Sequence, residues 1–491
     1  MQRLRKIPFF LFFLVLFFCL HGSVENYGFI DLSEVIMLGL VIAGCVFAFF
    51  LIVLFITRNY LFAGLICFFV SLWYLFFGAI HDWVKSQAFL SFMHGYSVLL
   101  PLLLAATIVW IIYLKRNKTV RSKWAFYLNL LLLIYCAFDS VLLVRDYFSS
   151  SKKTVEQVPF DTSKVKAKPN VYYLLFDEYP GYKSLKDSFA FANDSLYSFL
   201  HKNEFRVLPT FSNYDFTLFS MSAILNMRYV DSGYIPMKVS QREFQLRANE
   251  IRNGQVFRIF RNMGYRFENY SFFDIDDQHG VANQNSFLPV HSLLLTDKIL
   301  HNRIIRTSGW LFTTGKLGIP AWRKKFLFQH DANNQYSERM VKQSAAEKNG
   351  QPKLIYAHFA LPHGPFYKDS SGNYNSDESI ASEASLGSKT LYLGYVKYTN
   401  TVIESLVTSI TQNDPNAIVV VMSDHGFRTY KNVKPYEPFN YNNICAVRFP
   451  DKNYPDFREK WSAVNFFRYL FNSEYGQNIP YLADSSIVLS Y

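Results

Sequence analysis

The sequence predicts an α-helical transmembrane region followed by an α/β domain with a central, largely parallel sheet covered by helices on both faces. Apolar segments recur through the first 150 residues, as expected of helices that satisfy their own backbone hydrogen bonds in a bilayer. A polar stretch follows these segments. After it, short runs of β-branched and aromatic residues alternate with helical stretches, which is typical of a parallel sheet with helical crossovers.

Five apolar segments predict a membrane domain over residues 1–147, and four of them have the roughly 20 residues that a bilayer-spanning helix needs. The first is shorter and follows Arg3, Arg5 and Lys6, so it also fits the core of a signal peptide. Because residues 19–23 make a poor small-residue cleavage site, we expect an uncleaved helix. The predicted transmembrane helices are residues 7–21, 35–56, 61–80, 92–114 and 124–144.

The charges of the loops predict the orientation of these helices. Basic residues precede the first segment and recur at Arg58 and Lys115, whereas the intervening loops carry Glu25 and Asp82. Positively charged loops remain on the cytoplasmic side of a membrane. We therefore expect a multi-pass protein of the bacterial plasma (inner) membrane, with a cytoplasmic N-terminus and with everything after Arg145 in the periplasm or outside the cell.

Residues 148–169 are polar and predict a linker, and residues 170–491 predict an extracytoplasmic domain. Of the five cysteines, only Cys445 lies in this domain, so we expect an ordinary core and no intradomain disulfide to stabilise it. The expected strands are residues 171–176, 265–273, 354–359, 417–422 and 444–449. The expected helices are residues 182–201, 217–229, 241–263, 388–411 and 461–472.

The chain is moderately basic, with 50 Lys and Arg against 38 Asp and Glu and a net charge of +12. A basic domain tethered to a membrane faces anionic lipid headgroups, which accounts for this excess. The sequence has no zinc-finger spacing and no Arg-rich helix. Nucleic acid is therefore not an expected partner.

Acidic residues and an imidazole follow two of the expected strands. Asp177 and Glu178 come directly after the first strand, and Asp424 and His425 come after the strand of residues 417–422. The carboxyl ends of parallel strands meet at one edge of a sheet, where α/β enzymes often place their ligand-binding residues. Taken alone, acids before a turn are commonly solvated, and a histidine in such a place commonly bonds to the backbone.

Two histidines lie in and after the strand of residues 354–359. His358 and His363 are five residues apart across a Pro-containing loop. Both could face one cleft, where an imidazole can bind a metal or move a proton. Either could equally be a structural histidine bonded to the backbone.

Thr217 begins an expected helix, and its hydroxyl could cap that helix or lie beside a bound anion. A threonine becomes a nucleophile only when something lowers its high pKa. A divalent cation held by Glu178, Asp424 and His425 would do so, and acid and imidazole ligands suit zinc or manganese.

In this order and spacing, the motifs resemble those of the alkaline phosphatase superfamily, specifically its membrane-anchored, sulfatase-like branch of phosphoethanolamine and phosphoglycerol transferases. The resemblance covers about five spans, a linker, an acid after the first strand, a Thr at a helix start, a His-x4-His-Gly-Pro element and a Ser-Asp-His-Gly element. It implies an alkaline-phosphatase-like (sulfatase-like) fold and a phosphorylated Thr217. The implied metal ligands are Glu178, Thr217, Asp424 and His425, with Asp177 as the alternative to Glu178. The residues implied to contact the phosphoryl group or a second metal are His358 and His363.

The chain departs from the pattern of the family at two places. Phe427 and Arg428 follow the Ser-Asp-His-Gly element where the transferases usually have an acidic residue, and no histidine occurs after His425. We therefore expect one divalent metal, Zn or Mn. Sulfatases proper need a Cys-x-Pro-x-Arg or Ser-x-Pro-x-Arg context, which Thr217 lacks, so sulfate ester hydrolysis is not expected.

The resemblance implies a metal-dependent transferase. Such an enzyme would move phosphoethanolamine or phosphoglycerol from a membrane phospholipid to a glycan or lipid of the cell envelope through a covalent phosphothreonine. A membrane-bound metal-dependent phosphodiesterase or phosphatase would share the covalent step and use water as the acceptor. A catalytically degenerate envelope scaffold is the non-enzymatic alternative. Protein partners are not predictable from the sequence.

Overall fold

The computed structural model describes residues 7–87, 89–150, 157–230, 237–281, 290–308, 318–348, 350–428, 437–455, 458 and 460–490. Its contacts divide the chain into two units. The first comprises Met1–Val155 and Ser286–Trp310, and the second comprises Glu156–Asn285 and Leu311–Tyr491. Arg3, Arg5 and Lys6, on which part of the predicted orientation rests, lie outside the described residues.

The N-terminal part of the first unit consists of apolar helices. Within the described residues, three of them (α2, α5 and α6) are long and apolar enough to cross a membrane. Helices α3 and α4 pass the same test only as a pair bent by 59°, and α1 has 16 residues. The number of crossings and their orientation therefore stay predictions. The helices are α1 (Phe10–Glu25), α2 (Leu32–Thr57), α3 (Tyr60–Leu75), α4 (Phe77–Ser86), α5 (Tyr96–Arg116) and α6 (Val120–Ser150).

The second unit is built on a six-stranded sheet with the strand order β2-β8-β7-β1-β6-β5. The strands β7, β1, β6 and β5 are parallel to one another, whereas β8 runs antiparallel to β7 and to the edge strand β2. The predicted mostly parallel sheet is thus confirmed. The six strands are β1 (Val171–Phe176), β2 (Arg206–Val207), β5 (Arg266–Tyr270), β6 (Lys353–Phe359), β7 (Ile418–Met422) and β8 (Cys445–Arg448). The strands outside this sheet are β3 (Thr210–Phe211), β4 (Met237–Lys238), β9 (Trp461–Ser462) and β10 (Leu489–Ser490).

The central strand β1 explains why the sheet is covered on both faces. All six of its residues are buried, and alternate side chains of a strand point to opposite faces. Tyr173 and Leu175 belong to one apolar core, and Tyr172 and Leu174 belong to the other. A continuous apolar run is what a strand buried on both faces requires.

Helices cover both faces of this sheet. One core includes buried residues of α9, α11 and α19, and the other includes residues of α7, α8, α15 and α17. These helices are α7 (Tyr182–Phe189), α8 (Asp194–Lys202), α9 (Thr217–Asn226), α11 (Gln255–Asn262), α15 (Gln329–Ala346), α17 (Lys389–Asn413) and α19 (Phe466–Tyr475). The remaining helices of this unit are α10 (Gln241–Arg252), α14 (Pro320–Phe326), α16 (Asp377–Ala381) and α18 (Glu437–Tyr441).

Two expected helices are each divided in the structure. The expected helix of residues 182–201 breaks after Phe189, where Ala190 adopts a left-handed conformation with φ of 50°. The expected helix of residues 241–263 breaks at Asn253, and Gly254 precedes the first turn of α11. Both breaks are local backbone features that the apolar periodicity of the sequence does not reveal.

Two short helices late in the sequence belong to the first unit, namely α12 (Leu293–Thr296) and α13 (Leu300–Ser308). Leu295 and Ile299 are buried in the same apolar cluster as residues of α1 and α2. The chain therefore leaves the second unit after β5 and returns to it before β6. The predicted boundaries, 1–147, 148–169 and 170–491, do not include this return.

Candidate functional site

Three parallel strands end together and bring the candidate residues to one edge of the sheet. Phe176, the last residue of β1, pairs with Phe359 of β6, and Leu175 pairs with Met422 of β7. The backbone N–H of Asp177 continues the ladder by donating to the carbonyl of Phe359 at 3.0 Å. The residues after β1 and β7 therefore lie side by side at the carboxyl edge, as the sequence predicted.

Three buried polar atoms from these strand ends converge. Asp177, His358 and Asp424 each offer one ligand atom, and these atoms lie within 4.8 Å of one another. The buried atoms concerned include Asp177 Oδ1, His358 Nε2 and Asp424 Oδ2. Among the described residues, none of these three atoms has a hydrogen-bond partner. Leaving buried polar atoms unpaired is costly, and two carboxylates with an imidazole form a donor set that suits a divalent metal.

His425 adds a fourth group to this set. Its Nε2 lies 3.3 Å from Asp424 Oδ2 and 3.8 Å from Asp177 Oδ1. Its Nδ1 lies 2.8 Å from the carbonyl of Gly426, so Nδ1 carries the proton and the lone pair of Nε2 faces the carboxylates. Metal-binding histidines are commonly oriented in this way. We name Asp177, His358, Asp424 and His425 the acid–histidine cluster.

The distances within the acid–histidine cluster fit a metal ion. With bonds of about 2.0–2.1 Å, the ligand atoms of a tetrahedral zinc site are about 3.4 Å apart. Two separations agree with this value: 3.3 Å between His425 Nε2 and Asp424 Oδ2, and 3.3 Å between His425 Nε2 and Thr217 Oγ1. The residues present can therefore hold the implied metal.

Thr217 is the hydroxyl residue of its segment that faces the cluster. It is the first residue of α9 and is partly exposed. Two nearby serines have other roles: Ser220 Oγ donates to the carbonyl of Asp424 at 2.6 Å, and Ser222 Oγ donates to the carboxylate of Glu250. Of these three hydroxyls, Thr217 is thus the candidate nucleophile.

Asp177 and Glu178 are adjacent in sequence, but their side chains have different surroundings. Glu178 has a left-handed backbone with φ of 63°. Its Oε1 accepts the backbone N–H of Arg428 at 3.1 Å, and its Oε2 lies 3.9 Å from His363 Nε2. Asp177 faces the buried atoms of His358 and Asp424. The geometry therefore favours Asp177 over Glu178 as the acid of the acid–histidine cluster.

The two aspartates have opposite pKa shifts. Burial, followed by the nearby charge of Asp424, raises the pKa of Asp177 to about 6. Burial also acts to raise the pKa of Asp424. Electrostatic attraction to the His425 and His358 imidazoles, together with the N–H of Glu178, outweighs burial, and the net pKa of Asp424 is lowered. Two close carboxylates repel each other, and a bound cation would relieve this repulsion.

The two candidate histidines of β6 and its loop differ in access. His358 is 3% exposed, its Nδ1 lies 3.1 Å from the hydroxyl of Tyr356, and burial lowers its pKa to about 3. The side chain of His363 is 37% exposed. Burial acts to lower the pKa of His363, but the charges of Asp177 and Glu178 outweigh it and the net pKa is raised. His358 is thus part of the buried cluster, whereas His363 lies on its open side.

Two supporting residues have roles that the sequence did not indicate: Ser423, the first residue of the Ser-Asp-His-Gly element, and Tyr356 of β6. Ser423 Oγ accepts the N–H of Tyr179 at 2.9 Å and donates to the carbonyl of His425 at 2.7 Å, so it fixes the turn that carries the ligands. Tyr356 lies two residues before His358 in β6 and therefore on the same face of the strand. The alternation of side chains along β6 could have revealed that Tyr356 lies on the same face as His358.

Gly426 is required by the close approach of a neighbouring loop. Its N–H donates to the carbonyl of Asn440 at 2.7 Å, and a Cβ at this position would lie 2.7 Å from the carbonyl oxygen of Asn442 and closer still to that of Phe439.

We expect Gly426→Ala to lower the free energy of unfolding by about 1–3 kcal/mol, because the overpacked loop must shift. Chemical denaturation would measure this loss. Gly387→Ala is the matched control, since a Cβ there meets nothing within 4 Å. Equal stabilities of the two variants would contradict the prediction.

Comparison with known proteins finds a family match for part of the chain. Residues 256–468 match the family model described as Sulfatase. A comparison with curated protein sequences finds no match.

Similar solved structures include the C-terminal periplasmic domain of EptC from Escherichia coli in complex with Zn, with 11% identity over 65% of this chain and 85% of that chain and a TM-score of 0.39. Another is the C-terminal periplasmic domain of the phosphoethanolamine transferase EptC from Campylobacter jejuni, with 10% identity over 63% of this chain and 91% of that chain and a TM-score of 0.37. A third is the soluble domain of lipooligosaccharide phosphoethanolamine transferase A from Neisseria meningitidis, with 14% identity over 62% of this chain and 87% of that chain and a TM-score of 0.34.

The Sulfatase match includes β5, β6, β7 and β8 and four of the candidate residues. Asp177, Glu178 and Thr217 precede the matched region. The candidate residues within the match are His358, His363, Asp424 and His425. The match of residues 256–468 to the Sulfatase family model is consistent with the alkaline phosphatase superfamily that the motifs predicted.

Proposed function

We propose that this protein is a metal-dependent transferase that moves a phospho-headgroup, phosphoethanolamine or phosphoglycerol, from a membrane phospholipid to a glycan or lipid of the cell envelope. One observation carries the proposal: the hydroxyl of Thr217 lies 3.3 Å from His425 Nε2, beside buried carboxylate and imidazole atoms that lack hydrogen-bond partners within the described part of the chain. A nucleophile beside a metal-binding set is the arrangement that covalent phosphoryl transfer needs.

The acid–histidine cluster would hold one Zn or Mn ion. Asp424, His425 and Asp177 would be its main ligands, with Thr217 beside them. The resemblance to the transferases adds Glu178 to this set. When bound, the metal would lower the pKa of the Thr217 hydroxyl and offset negative charge on the phosphoryl oxygens.

Transfer would proceed in two steps. In the first step, Thr217 Oγ1 forms a bond to the phosphorus of the donor, its proton passes to solvent, and the phosphorus–oxygen bond to diacylglycerol breaks. His363 donates a proton to the departing diacylglycerol oxygen, since it is more exposed than the buried His358. In the second step, an acceptor hydroxyl attacks the phosphorus, His363 takes the proton of that hydroxyl, and Thr217 recovers its own proton from solvent.

The apolar helices of the first unit suit this chemistry. Three of them are long and apolar enough to span a membrane, among the helices that the structure describes. A phospholipid donor does not leave the bilayer, so a transferase gains from remaining attached to it. The predicted outward orientation would place the second unit on the side where envelope acceptors are found.

The proposal is tested by intact-mass analysis of the full-length protein after incubation with phospholipid vesicles. We expect a mass increment after incubation, with a size that matches phosphoethanolamine or phosphoglycerol and with peptide mapping to Thr217. Vesicles of phosphatidylethanolamine and of phosphatidylglycerol, offered separately, would identify the headgroup. Protein treated with a chelator is the control. An increment on Ser220 or Ser222 would show that another hydroxyl is the nucleophile, and no increment with either lipid would contradict the covalent mechanism.

A phosphodiesterase or phosphatase is the second candidate, and the match of residues 256–468 to the Sulfatase family model is compatible with it. Its covalent step would be the same, with water in place of the acceptor hydroxyl. Release of the free phospho-headgroup at the same rate with and without envelope glycolipid would identify the hydrolase. Faster turnover with the glycolipid would identify the transferase.

A further inference from the structure

Arg428 lies at the open side of the candidate site, in the place where the sequence departs from the transferase pattern. Its backbone N–H donates to Glu178 Oε1 at 3.1 Å, and its Nε lies 4.0 Å from the same oxygen. Its Nη1 donates to the carbonyl of Asp215 at 2.9 Å. The guanidinium carbon lies 4.6 Å from the ring centre of Phe216. Asp215, Phe216 and Glu178 therefore jointly fix the position of Arg428.

These contacts fix the guanidinium without using all of its donors. A guanidinium has five N–H groups. Among the described residues, the Arg428 side chain donates one hydrogen bond, from Nη1 to the carbonyl oxygen of Asp215. The guanidinium carbon also lies over the ring of Phe216, at a distance that allows a cation–π contact. The Arg428 side chain is 25% exposed, so it is partly open to solvent and to a ligand. A guanidinium that is held in place and remains accessible can donate two hydrogen bonds to the oxygens of a phosphate anion.

The charges around Thr217 show why such a cation is needed. Asp177 and Asp424 place two carboxyl groups beside His425, which Thr217 also contacts, and the carboxyl group of Glu178 lies beside Arg428 and His363. A divalent ion and a protonated His363 would together offset these three negative charges. An additional positive group near Thr217 would then offset the charge of the phosphodiester itself.

We propose that Arg428 binds the non-bridging phosphoryl oxygens of the donor phosphodiester and that Glu178 positions Arg428. This inference rests on the proposed function, which it deepens by identifying the group that recognises the donor. The ligand chemistry is a phosphodiester anion. A purely structural role, in which Arg428 only ties the end of β7 to the residues before α9, would produce the same contacts but no effect on anion binding.

The first test is chemical modification of the full-length protein with phenylglyoxal, followed by peptide mapping. We expect sn-glycero-3-phosphoethanolamine, a soluble phosphodiester, to protect Arg428 from modification. Arg458, which stacks on Trp461 and Tyr481 outside the site, should be modified equally with and without the ligand. Protection by inorganic phosphate but not by the phosphodiester would overturn the assignment of the donor, and no protection by either anion would overturn the anion site itself.

The second test compares Arg428→Gln with Arg428→Lys, using phosphatidylethanolamine vesicles as the donor. Loss of charged hydrogen bonds to a phosphate should raise KM for the donor about 10- to 100-fold in Arg428→Gln, with a smaller change in kcat. Arg428→Lys keeps the charge but not the fork, so its KM should lie between those values. Arg458→Gln is the matched control and should keep the wild-type KM. Metal content and thermal stability, measured in parallel, identify a folding defect.

The two proposals fail in distinguishable ways. If the wild-type protein forms no phosphoenzyme, the proposed function fails, while the protection experiment still reports whether Arg428 binds the phosphodiester. If the wild-type protein forms the phosphoenzyme and Arg428→Gln has an unchanged KM, only the role of Arg428 is overturned.

Discussion

Replacing Thr217 with alanine is expected to abolish the covalent intermediate and to lower the rate of headgroup transfer at least about a thousandfold. The substitution removes the oxygen that lies 3.3 Å from His425 Nε2. The neighbouring hydroxyl of Ser220 is committed to the carbonyl of Asp424, so it cannot replace this oxygen without losing that bond. Intact-mass analysis would measure the intermediate, and release of labelled diacylglycerol would measure the rate.

Two further variants make the Thr217 result interpretable. Thr217→Ser keeps a hydroxyl at the same position and should still form a detectable intermediate. Ser222→Ala, a matched loss of a hydroxyl in the same helix, should leave the intermediate intact, because Ser222 Oγ bonds to Glu250 instead of facing the cluster. A normal yield of phosphoenzyme in Thr217→Ala would exclude Thr217 as the nucleophile.

The sheet could be predicted from sequence because its strands are continuous apolar runs. Val171–Phe176 was predicted at the residues observed, and Ile418–Met422 lies within one residue of its prediction. The edge strand Arg206–Val207 was not predicted, since two residues give no periodicity. The bend within the predicted span of residues 61–80 was not predicted either. This segment is apolar throughout, but the helix bends by 59° between α3 and α4, which hydropathy does not show.

The composition of the site was predictable, whereas its internal geometry was not. Asp424 and His425 follow a buried strand, and such a strand can only deliver them to the carboxyl edge. Asp177 and Glu178 follow another strand together, so the sequence left open which one faces the cluster. The left-handed backbone of Glu178 separates the two side chains. No sequence pattern marks that conformation, because it is unusual for a residue with a side chain of this size.

The position of His358 depends on contacts between residues that are far apart in the sequence. The sequence grouped it with His363, five residues away, because both could face one cleft. In the structure His358 is buried among Asp177, Asp424 and Tyr356, while His363 lies beside Glu178. Strand alternation and the parallel register of β1, β6 and β7 produce this separation. Register follows from the packing of the whole sheet and not from local sequence.

Asp424→Asn is expected to lower the Zn or Mn content of the purified protein at least about tenfold and to abolish transfer with it. Asp424 is fully buried. Its Oδ1 accepts the N–H groups of His425 at 2.9 Å and Glu178 at 3.2 Å, and an asparagine oxygen can keep these bonds. Its Oδ2 lies 3.3 Å from His425 Nε2, and an asparagine would place an uncharged amide there. Elemental analysis of full-length protein would measure the metal.

The comparison with three other carboxylates makes this result specific. Asp414 lies at the opposite edge of the sheet, where it accepts hydrogen bonds from Asn170 at 2.7 Å and Tyr172 at 3.1 Å. Asp414→Asn should therefore leave the metal content unchanged. If the geometry identifies the ligand correctly, Asp177→Asn should lower the metal content more than Glu178→Gln does, and the reverse order would support the ligand set that the resemblance implies. A wild-type protein without stoichiometric Zn or Mn, together with an Asp424→Asn variant that behaves identically, would leave the envelope scaffold as the remaining hypothesis.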